Sequence, residues 1–493
     1  MSSVLTFKID KKKPVFIVNK KLVNFIQKFS SKNDQIQILI KKIINNIDIP
    51  KEIIEKRINQ ILFFKFNYKE NKFEDLQTNK IFKDLLIYLG FNLVNIIGHL
   101  FLIFKISKKK EYDLICDNVF EQFSIDCYSK LIKKFSKVCL LGTIVPPKKI
   151  KNEDYFKFRK FLIGISSFNL REKFFFLFLG FKIFYISLKK RINFFSIFNL
   201  LVYDIFKSNH IFSNIKGKFF ITQKFYNTST IFNYYFKKNG GKITSCTQKN
   251  ILSQSLSLFV FTDIMFTYGK EQGKICNQLG GKIKKFVPVG SLFMETKWYQ
   301  KKKDLKNVPK SDILILGQNT LYNTRHYNNN NYEKDFYEIY LDWLIKLSND
   351  FPHKKIIYKF HDYPIVDPGV IEKIKNTNIN ILIKDKSINS SYAYPFRSKL
   401  VLSFASSMVV ELLGNNKLAY YLDPGLRGDQ WFRDIKKLKS FRIGNYKKLK
   451  KIIIQKKKTP IKFKNYLCKN SKNTSEMIFE NFKKMENFFE KQQ

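Results

Sequence analysis

Residues 399–413 read KLVLSFASSMVVELL, and the fold prediction depends on this stretch. The run at 399–404 is apolar and short, as in a buried strand, whereas 408–413 has the residue types of a short helix. Ser406 and Ser407 lie between the two runs. A buried strand that passes through a polar turn directly into a helix is the repeating step of a parallel α/β sheet.

The same step recurs through the second half of the chain. Further strands are predicted at 313–316, 355–360, 378–383 and 418–422, with helices at 333–347 and 369–376 and a short turn at 393–397. Strands that alternate with helices in this way predict one doubly wound domain at 311–465.

The first half shows a looser version of this alternation. Strands are predicted at 15–18, 113–116, 138–141, 219–222, 242–246 and 263–267, a helix at 118–135, and helical insertions at 156–207. The predicted fold class is therefore α/β, with two doubly wound parallel-sheet domains and helical additions in the N-terminal half. The predicted domains are 1–290, a linker at 291–310, 311–465, and an amphipathic C-terminal helix within 466–493.

The charge of the chain is strongly unbalanced. Ninety Lys and Arg residues against 40 Asp and Glu give a formal net charge of +50 over 493 residues, and only nine of the 90 are Arg. A surplus of Lys with few Arg is typical of genes rich in A and T. The net positive charge therefore has two possible explanations, the base composition of the gene or an anionic partner. Arg-rich clusters, aromatic RNA-binding motifs and zinc-type Cys/His arrays are absent from the sequence, so we expect no specific nucleic acid.

Cysteine usage and apolar segments bear on where the chain resides. Six scattered Cys without C-x-x-C spacing favour reduced core thiols in the cytoplasm, and the mixed N-terminus predicts no signal peptide. The segments 85–104 and 174–188 are long and apolar, with basic residues following each. They are interpreted either as core helices or as segments that dock on an anionic membrane surface, and 85–104 is also just long enough for a transmembrane helix.

Polar residues follow the predicted strands of the second half. In an open parallel sheet, ligands bind beyond the carboxyl ends of the strands, and these residues are the candidates there. They are Gly317, Gln318 and Asn319; Lys359 and His361; Ser403, Ser406, Ser407 and Glu411; Asp423 and Arg427.

The serine pair is the most informative of these features. A helix start offers unpaired N–H groups, and serine hydroxyls add donors, which together suit a phosphate. Glu411 lies one turn beyond Ser407, where its carboxylate could accept hydrogen bonds from ribose hydroxyls. The alternative is an ordinary helix start, in which serine only caps the backbone.

Five short motifs, in order, carry a resemblance to a known family. They are 261–269 (FTDIMFTYG), 279–291 (LGG followed by PVGS), 359–364 (KFHDYP), 403–411 (SFASSMVVE) and 418–425 (LAYYLDPG). Together they resemble the motifs of GT-B fold glycosyltransferases of bacterial surface-carbohydrate and capsular polysaccharide synthesis. The resemblance covers about a third of the chain. It departs from the family at 247–250, which reads TQKN where relatives carry Q-H-G, so that only Gln248 matches.

The resemblance implies two Rossmann-like domains that face a cleft, with a nucleotide-activated sugar on the C-terminal one. It further implies transfer of the sugar to a glycan or lipid-linked acceptor, without a metal or other cofactor. Lys359, His361 and Arg427 would then contact the phosphates, although His361 could also serve only to cap its loop. The N-terminal domain should supply the general base, for which Glu121 and Asp117 are the candidates beside Gln248.

Other functions remain open at this stage. A sugar-nucleotide 2-epimerase or a polyol-phosphate transferase would share the nucleotide site. A basic nucleic-acid-binding protein would explain the charge but not the motif at 403–411.

Overall fold

The computed structural model describes residues 15–490 apart from several stretches. These are 68–71, 74–75, 77–79, 102–108, 118–121, 143–152, 158–167, 224–228, 249–259, 272, 274–281, 300–304, 306–307, 318–330, 361–367, 383–390, 404–405, 425–435 and 456–463. The chain divides into two compact units. The first comprises Met1–Phe266, Cys276–Phe286 and Ile478–Gln493, and the second Thr267–Ile275 and Val287–Met477.

The first unit is built on a seven-stranded sheet. Its strands are β3 (Lys110–Asp117), β4 (Val138–Gly142), β5 (Glu153–Lys157), β6 (Ile215–Thr222), β7 (Ile243–Thr247), β8 (Phe261–Thr267) and β9 (Lys282–Pro288), in the order β5-β4-β3-β6-β7-β8-β9. The pairs from β5 to β8 are parallel. All five residues of β4 and of β7 are buried, which suits a sheet that is covered on both faces. A small hairpin, β1 (Phe66–Asn67) with β2 (Lys72–Phe73), lies apart from this sheet.

Helices account for most of the rest of this unit. They are α1 (Val15–Lys32), α2 (Asp34–Ile44), α3 (Lys51–Phe64), α4 (Ile81–Phe101), α5 (Gln122–Ile132), α6 (Leu170–Lys190), α7 (Phe194–Asn214) and α8 (Thr230–Lys238). The strand predicted at 15–18 is wrong, because these residues begin α1. Four apolar residues cannot distinguish a strand from a helix by periodicity alone. The helices predicted within 156–207 are present as α6 and α7.

The second unit contains a six-stranded sheet. Its strands are β10 (Ser311–Leu316), β11 (Ile356–Lys359), β12 (Ile379–Leu382), β13 (Ser398–Ser403), β14 (Ala419–Leu422) and β15 (Arg442–Ile443), in the order β12-β11-β10-β13-β14-β15. Every pair in it is parallel. Its helices are α9 (Leu292–Tyr299), α10 (Asn331–Asp350), α11 (Pro368–Ile374), α12 (Met408–Gly414), α13 (Tyr446–Gln455) and α14 (Lys464–Leu467), with 3₁₀ segments at Ser391–Arg397 and Lys436–Phe441.

Both sheets follow one topological rule. Numbered from β3 and from β10, the strands run 3-2-1-4-5-6, with β9 as a seventh strand beside β8 in the first unit. This is the order of Rossmann-type doubly wound sheets. The first three strands are added towards one edge of the sheet and the later ones towards the other edge, so the strand order reverses between strands 1 and 4. The predicted fold class of two doubly wound α/β sheets is therefore confirmed by strand order.

The last helix, α15 (Thr474–Glu490), returns to the first unit. Phe482 is fully buried there, with its ring stacked on Phe219 at a centroid distance of 4.8 Å and edge-on to Phe266 at 5.5 Å. The amphipathic helix predicted within 466–493 thus begins at Thr474.

The observed boundaries differ from the predicted domains in two places. Residues 267–275 and 287–290 cluster with the second unit, whereas the prediction placed the boundary at 290. The predicted linker at 291–310 begins with α9, in which Leu292, Phe293 and Met294 are buried.

Aromatic packing joins α4, α6 and α7 into a helical layer. Tyr88 of α4 is fully buried against Phe195 and Phe198 of α7, and its hydroxyl donates a hydrogen bond of 2.6 Å to the carbonyl of Phe176 in α6. A Cβ at Gly180 would lie 2.3 Å from Cε1 of Tyr88, so this close crossing of α4 and α6 requires glycine.

Two glycine substitutions test this packing. We expect Gly180→Ala to lower the free energy of unfolding by about 1–3 kcal/mol, because the added methyl group has no room beside Tyr88. Gly90→Ala on α4 is the control: a Cβ there meets nothing within 4 Å, so better helix propensity should leave stability unchanged or raise it by up to about 1 kcal/mol. Urea unfolding measures both, and equal effects of the two substitutions would contradict the crossing.

Candidate functional site

The reversal point of the second sheet lies between β10 and β13. Leu316 pairs with Ser403 there, so the two strands end side by side. Gly317 continues from β10, and its N–H donates a hydrogen bond of 2.9 Å to the carbonyl of Lys359 at the end of β11. The described candidates Gly317, Lys359 and Ser403 are thus brought together at one edge of the sheet.

Ser403 fixes the turn from β13 into α12. Its buried hydroxyl donates to the carbonyl of Leu316 at 3.3 Å and accepts from the N–H of Ser406 at 3.1 Å. The turn is therefore tied to the end of β10 by a side chain as well as by the sheet. We infer that Ser403 holds the site in shape from a buried position.

The serine pair divides into two roles. The hydroxyl of Ser406 accepts from the N–H of Met408 at 3.3 Å, and its carbonyl accepts from the hydroxyl of Tyr421 at 2.9 Å. Ser407 is the N-cap residue of α12, is partly exposed, and makes no capping hydrogen bond with its side chain. The hydroxyl of Ser407 is therefore not used to start the helix. Because α12 has only seven residues, its dipole contributes little at this turn.

Glu411 is buried, with 1% of its surface exposed. One carboxylate oxygen accepts a hydrogen bond from the hydroxyl of Ser291, and the other accepts from the hydroxyl of Tyr392 at 3.0 Å. The hydroxyl of Tyr268 also hydrogen-bonds to this carboxyl. A ribose hydroxyl could reach Glu411 only by displacing one of these partners. Sequence reasoning did not find Tyr392, although Tyr268 and Ser291 stand in two of the quoted motifs.

Burial also sets the protonation of Glu411. Desolvation raises the pKa of its carboxyl to about 7, and the hydrogen bonds from Ser291, Tyr392 and Tyr268 oppose that rise without cancelling it. Near neutral pH the group therefore exchanges between acid and carboxylate, and it can donate as well as accept a hydrogen bond.

The basic candidate at the end of β11 and the acidic candidate after β14 are both buried. Lys359 donates from Nζ to the carbonyl of Phe360 at 2.8 Å and lies 5.7 Å from the ring centroid of Tyr394. Asp423 accepts two hydrogen bonds from Arg442 of β15, one of them 2.7 Å long from Nε. Asp423 thus forms a buried ion pair with Arg442. The remaining candidates, Gln318, Asn319, His361 and Arg427, lie outside the described residues.

The catalytic candidates belong to the first unit. Asp117 ends β3 beside Thr222 of β6, at the reversal point of that sheet, and is partly exposed. Gln248 follows β7 and is buried, and its N–H donates to the carbonyl of Phe266 at 2.9 Å. With β6 between them, the strands of Asp117 and Gln248 are about 10 Å apart. Glu121 lies outside the described residues.

A buried hydroxyl connects the end of β7 with the end of β6, the strand between β3 and β7. Thr247 donates to the carbonyls of Thr222 and Gln223 at 3.5 and 3.3 Å. Sequence reasoning missed Thr222 and Gln223; the only available signal was a strand that ends in two polar residues. Among the described residues, no group of three or more His, Cys, Asp or Glu side chains is arranged to hold a metal ion. Independence from metals stays a prediction.

The pH dependence of stability tests the burial of Glu411. Its carboxyl titrates near 4.5 in the unfolded chain and near 7 in the folded one, so the folded protein binds a proton that the unfolded chain has released. The resulting stabilisation is complete below about pH 4.5 and is lost as the pH rises through 7, by roughly 3 kcal/mol in total. Glu411→Gln should remove this part of the slope in urea unfolding. Parallel slopes for both proteins would contradict the assignment.

The ion pair of Asp423 is tested against an exposed pair. Asp423→Ala leaves the buried guanidinium of Arg442 without its partner and should lower the free energy of unfolding by about 3–5 kcal/mol. Lys399→Ala removes the 79% exposed partner of Asp312 and should cost less than about 1 kcal/mol. Thermal unfolding separates the two. A small effect at Asp423 would contradict the buried ion pair.

No family model and no curated protein matches the sequence. Among solved structures, the chain is similar to a UDP complex of MnaA from S. aureus, with 10% identity over 77% of this chain and 97% of that one and a TM-score of 0.44. It is also similar to a UDP-GlcNAc 2-epimerase from Neisseria meningitidis bound to UDP-GlcNAc, with 12% identity, 76% and 100% coverage and a TM-score of 0.41. The wall teichoic acid polymerase TagF gives 10% identity, 83% and 99% coverage and a TM-score of 0.42. Similarity below a TM-score of 0.5 does not establish a shared fold, so the fold class stands on the strand order of the two sheets.

Proposed function

We propose that the chain is a nucleotide-sugar enzyme of bacterial surface-glycan synthesis, and specifically a glycosyltransferase of the GT-B type. The donor nucleotide binds at the carboxyl edge of β10 and β13 in the second unit. The observation that carries this proposal is the sheet reversal, where Gly317, Ser403 and Ser407 stand together and the hydroxyl of Ser407 is not used for capping.

A diphosphate fits the chemistry of this edge. Backbone N–H groups at the turn and the hydroxyl of Ser407 are donors that suit phosphate oxygens. Lys359 adds a positive charge at the end of β11, and the predicted partners His361 and Arg427 follow β11 and β14 in sequence. Such groups stabilise the negative charge that develops on a departing nucleotide without a metal ion.

The role of Glu411 in this proposal is to shape the nucleoside side of the edge. Its carboxyl connects α12 with Ser291 and Tyr392. When a nucleoside binds, a ribose hydroxyl would replace one of these two hydroxyls as the hydrogen-bond donor to Glu411. A carboxyl with a pKa near 7 can make that exchange as acid or as carboxylate.

The acceptor side is assigned to the first unit. In a transfer reaction, a hydroxyl of the acceptor attacks the anomeric carbon of the sugar while the bond to the nucleotide phosphate breaks. A carboxylate takes the proton of that hydroxyl. Asp117 is partly exposed at the reversal point of the first sheet and is the described candidate for this base, with Glu121 as the second. We propose a glycan or lipid-linked acceptor and a position on the cytoplasmic face of the inner membrane.

Nucleotide binding is the direct test. Thermal-shift titration with UDP-, CMP-, CDP- and GDP-linked sugars should raise the melting temperature for one nucleotide class. Ser407→Ala should weaken that binding by about tenfold, since one hydrogen bond to a charged group is lost. Ser440→Ala, at an exposed serine of the same unit, is the matched control and should bind like the wild type. If none of these nucleotides stabilises the protein, the proposal is wrong.

The same sample separates the transferase from the epimerase. An epimerase changes the sugar of its donor in the absence of any acceptor, which NMR of the sugar detects. A transferase leaves the donor intact until an acceptor is added, apart from slow hydrolysis.

A further inference from the structure

Two helices of the first unit expose apolar side chains in continuous stripes. On α4, Leu86 is 71% exposed and Ile97 51%; on α6, Phe178 is 67% exposed and Tyr185 65%. We call the exposed apolar residues of these two helices the apolar face. It comprises Phe82, Leu86, Ile87, Leu93, Val94, Ile97 and Leu100 of α4 and Phe174, Phe178, Phe181, Tyr185 and Leu188 of α6.

The stripe on α6 follows the period of a helix. Its five residues are spaced four, three, four and three positions apart, which places them along one side. A surface helix whose apolar stripe faced the core would bury these positions. In α6 these positions are exposed, and the opposite side of the helix carries the buried apolar residues Phe176, Leu179 and Ile183. The helix is therefore apolar on both its inner and its outer side.

The stripes of α4 and α6 point the same way. Phe82 packs on Phe184 at 5.5 Å between ring centroids, whereas near the other end of α4 His99 Nδ1 lies 3.0 Å from Nζ of Lys173. The helices are therefore antiparallel neighbours. Both also pack on α7, through Tyr88 on Phe195 and through Phe176 on Phe206. Their exposed sides consequently lie together on the surface away from α7.

Basic residues border the apolar face. Arg171, Lys182 and Lys189 are spaced eleven and seven positions apart, so they form a line beside the α6 stripe. Over Leu170–Lys190, the four exposed basic residues against Glu172 leave a charge of +3, because Lys173 is buried against α4. The pKa of Lys42 on α2 is lowered because the Lys182 side chain lies beside it, and burial adds to the effect. A line of cationic side chains beside an exposed apolar stripe favours an anionic partner.

The geometry points to a lipid bilayer as the occupant of the apolar face: we propose that α4 and α6 lie flat in the interface of an anionic membrane, with the basic line at the level of the headgroups. This surface deepens the membrane location of the proposed function and rests on it. By length and composition α4 alone, among the described helices, could cross a membrane. Its inner side carries the buried Asn92 and Asn95 and the packed Tyr88, so we place it along the bilayer surface.

Vesicle flotation tests this surface with the full chain. The wild type should float with phosphatidylcholine vesicles that contain phosphatidylglycerol, far less with phosphatidylcholine alone, and less at high salt. The double variant Leu86→Glu/Phe178→Glu should lower the partition coefficient at least about tenfold. The control Ile339→Glu/Ile454→Glu adds the same charges at residues of the second unit that are 41% and 62% exposed, and should float like the wild type.

Three results would overturn the proposal. They are a wild type that does not float with anionic vesicles, a double variant that floats as well as its control, and a wild-type dimer that the double variant converts to monomers. The last would show that a second copy covers the apolar face. Nucleotide-induced thermal shifts of the double variant should equal those of the wild type, which separates failure of this surface from failure of the proposed donor site.

Fluorescence quenching in single Trp variants tests the same surface without adding a charged side chain that could destabilise the fold. Relative to the wild type with its three native Trp, the fluorescence added by Phe178→Trp should be quenched by brominated phosphatidylglycerol, whereas that added by Ile454→Trp should stay unquenched. Equal quenching at both positions would contradict the proposal.

Discussion

Parallel pairing is the constraint on which the rest of this structure depends. Parallel strands cannot be joined by tight turns, so each must be followed by a crossover that returns the chain to the same end of the sheet. In both sheets the crossovers leave strand 1 beside strand 4, and the chain diverges in two directions there. In the second unit this divergence brings Gly317 and Ser403 together, although 86 positions separate them in sequence. The position of the candidate site is therefore set by the order of the strands, and the sequence motifs only supply the side chains that stand there.

The strands of the second unit could be predicted because their burial is complete. Residues such as Ile313 to Leu316 form a continuous apolar run, and continuous runs between turn residues are what a doubly covered parallel sheet requires. The same criterion failed at 15–18, which begin α1, and it missed β9, in which Lys282, Lys284 and Lys285 interrupt the apolar residues. Local patterns do not encode which side of a chain segment another segment will cover.

The site was less predictable than the fold. Ser403, Ser407 and Lys359 stand at the edge where the sequence placed them, but Glu411 faces Ser291 and Tyr392, and Asp423 pairs with Arg442. From the sequence, the carboxylates of Glu411 and Asp423 were assigned to ligand binding only because each lies a few residues after a predicted strand. Their partners come from segments that are remote in sequence, and a rule based on spacing contains no information about them. The positive charge shows the same limit: its amount is visible in composition, whereas its arrangement beside an apolar stripe on α6 is visible only in three dimensions.

The central claim is that a nucleotide diphosphate binds at the carboxyl edge of β10 and β13. A crystal structure of the chain with the nucleotide that stabilises it most would test this claim most directly. The account predicts the diphosphate within hydrogen-bonding distance of the hydroxyl of Ser407, beside the end of β10, with the nucleoside towards Glu411. A nucleotide bound to the first unit, or at the opposite edge of the second sheet, would contradict it.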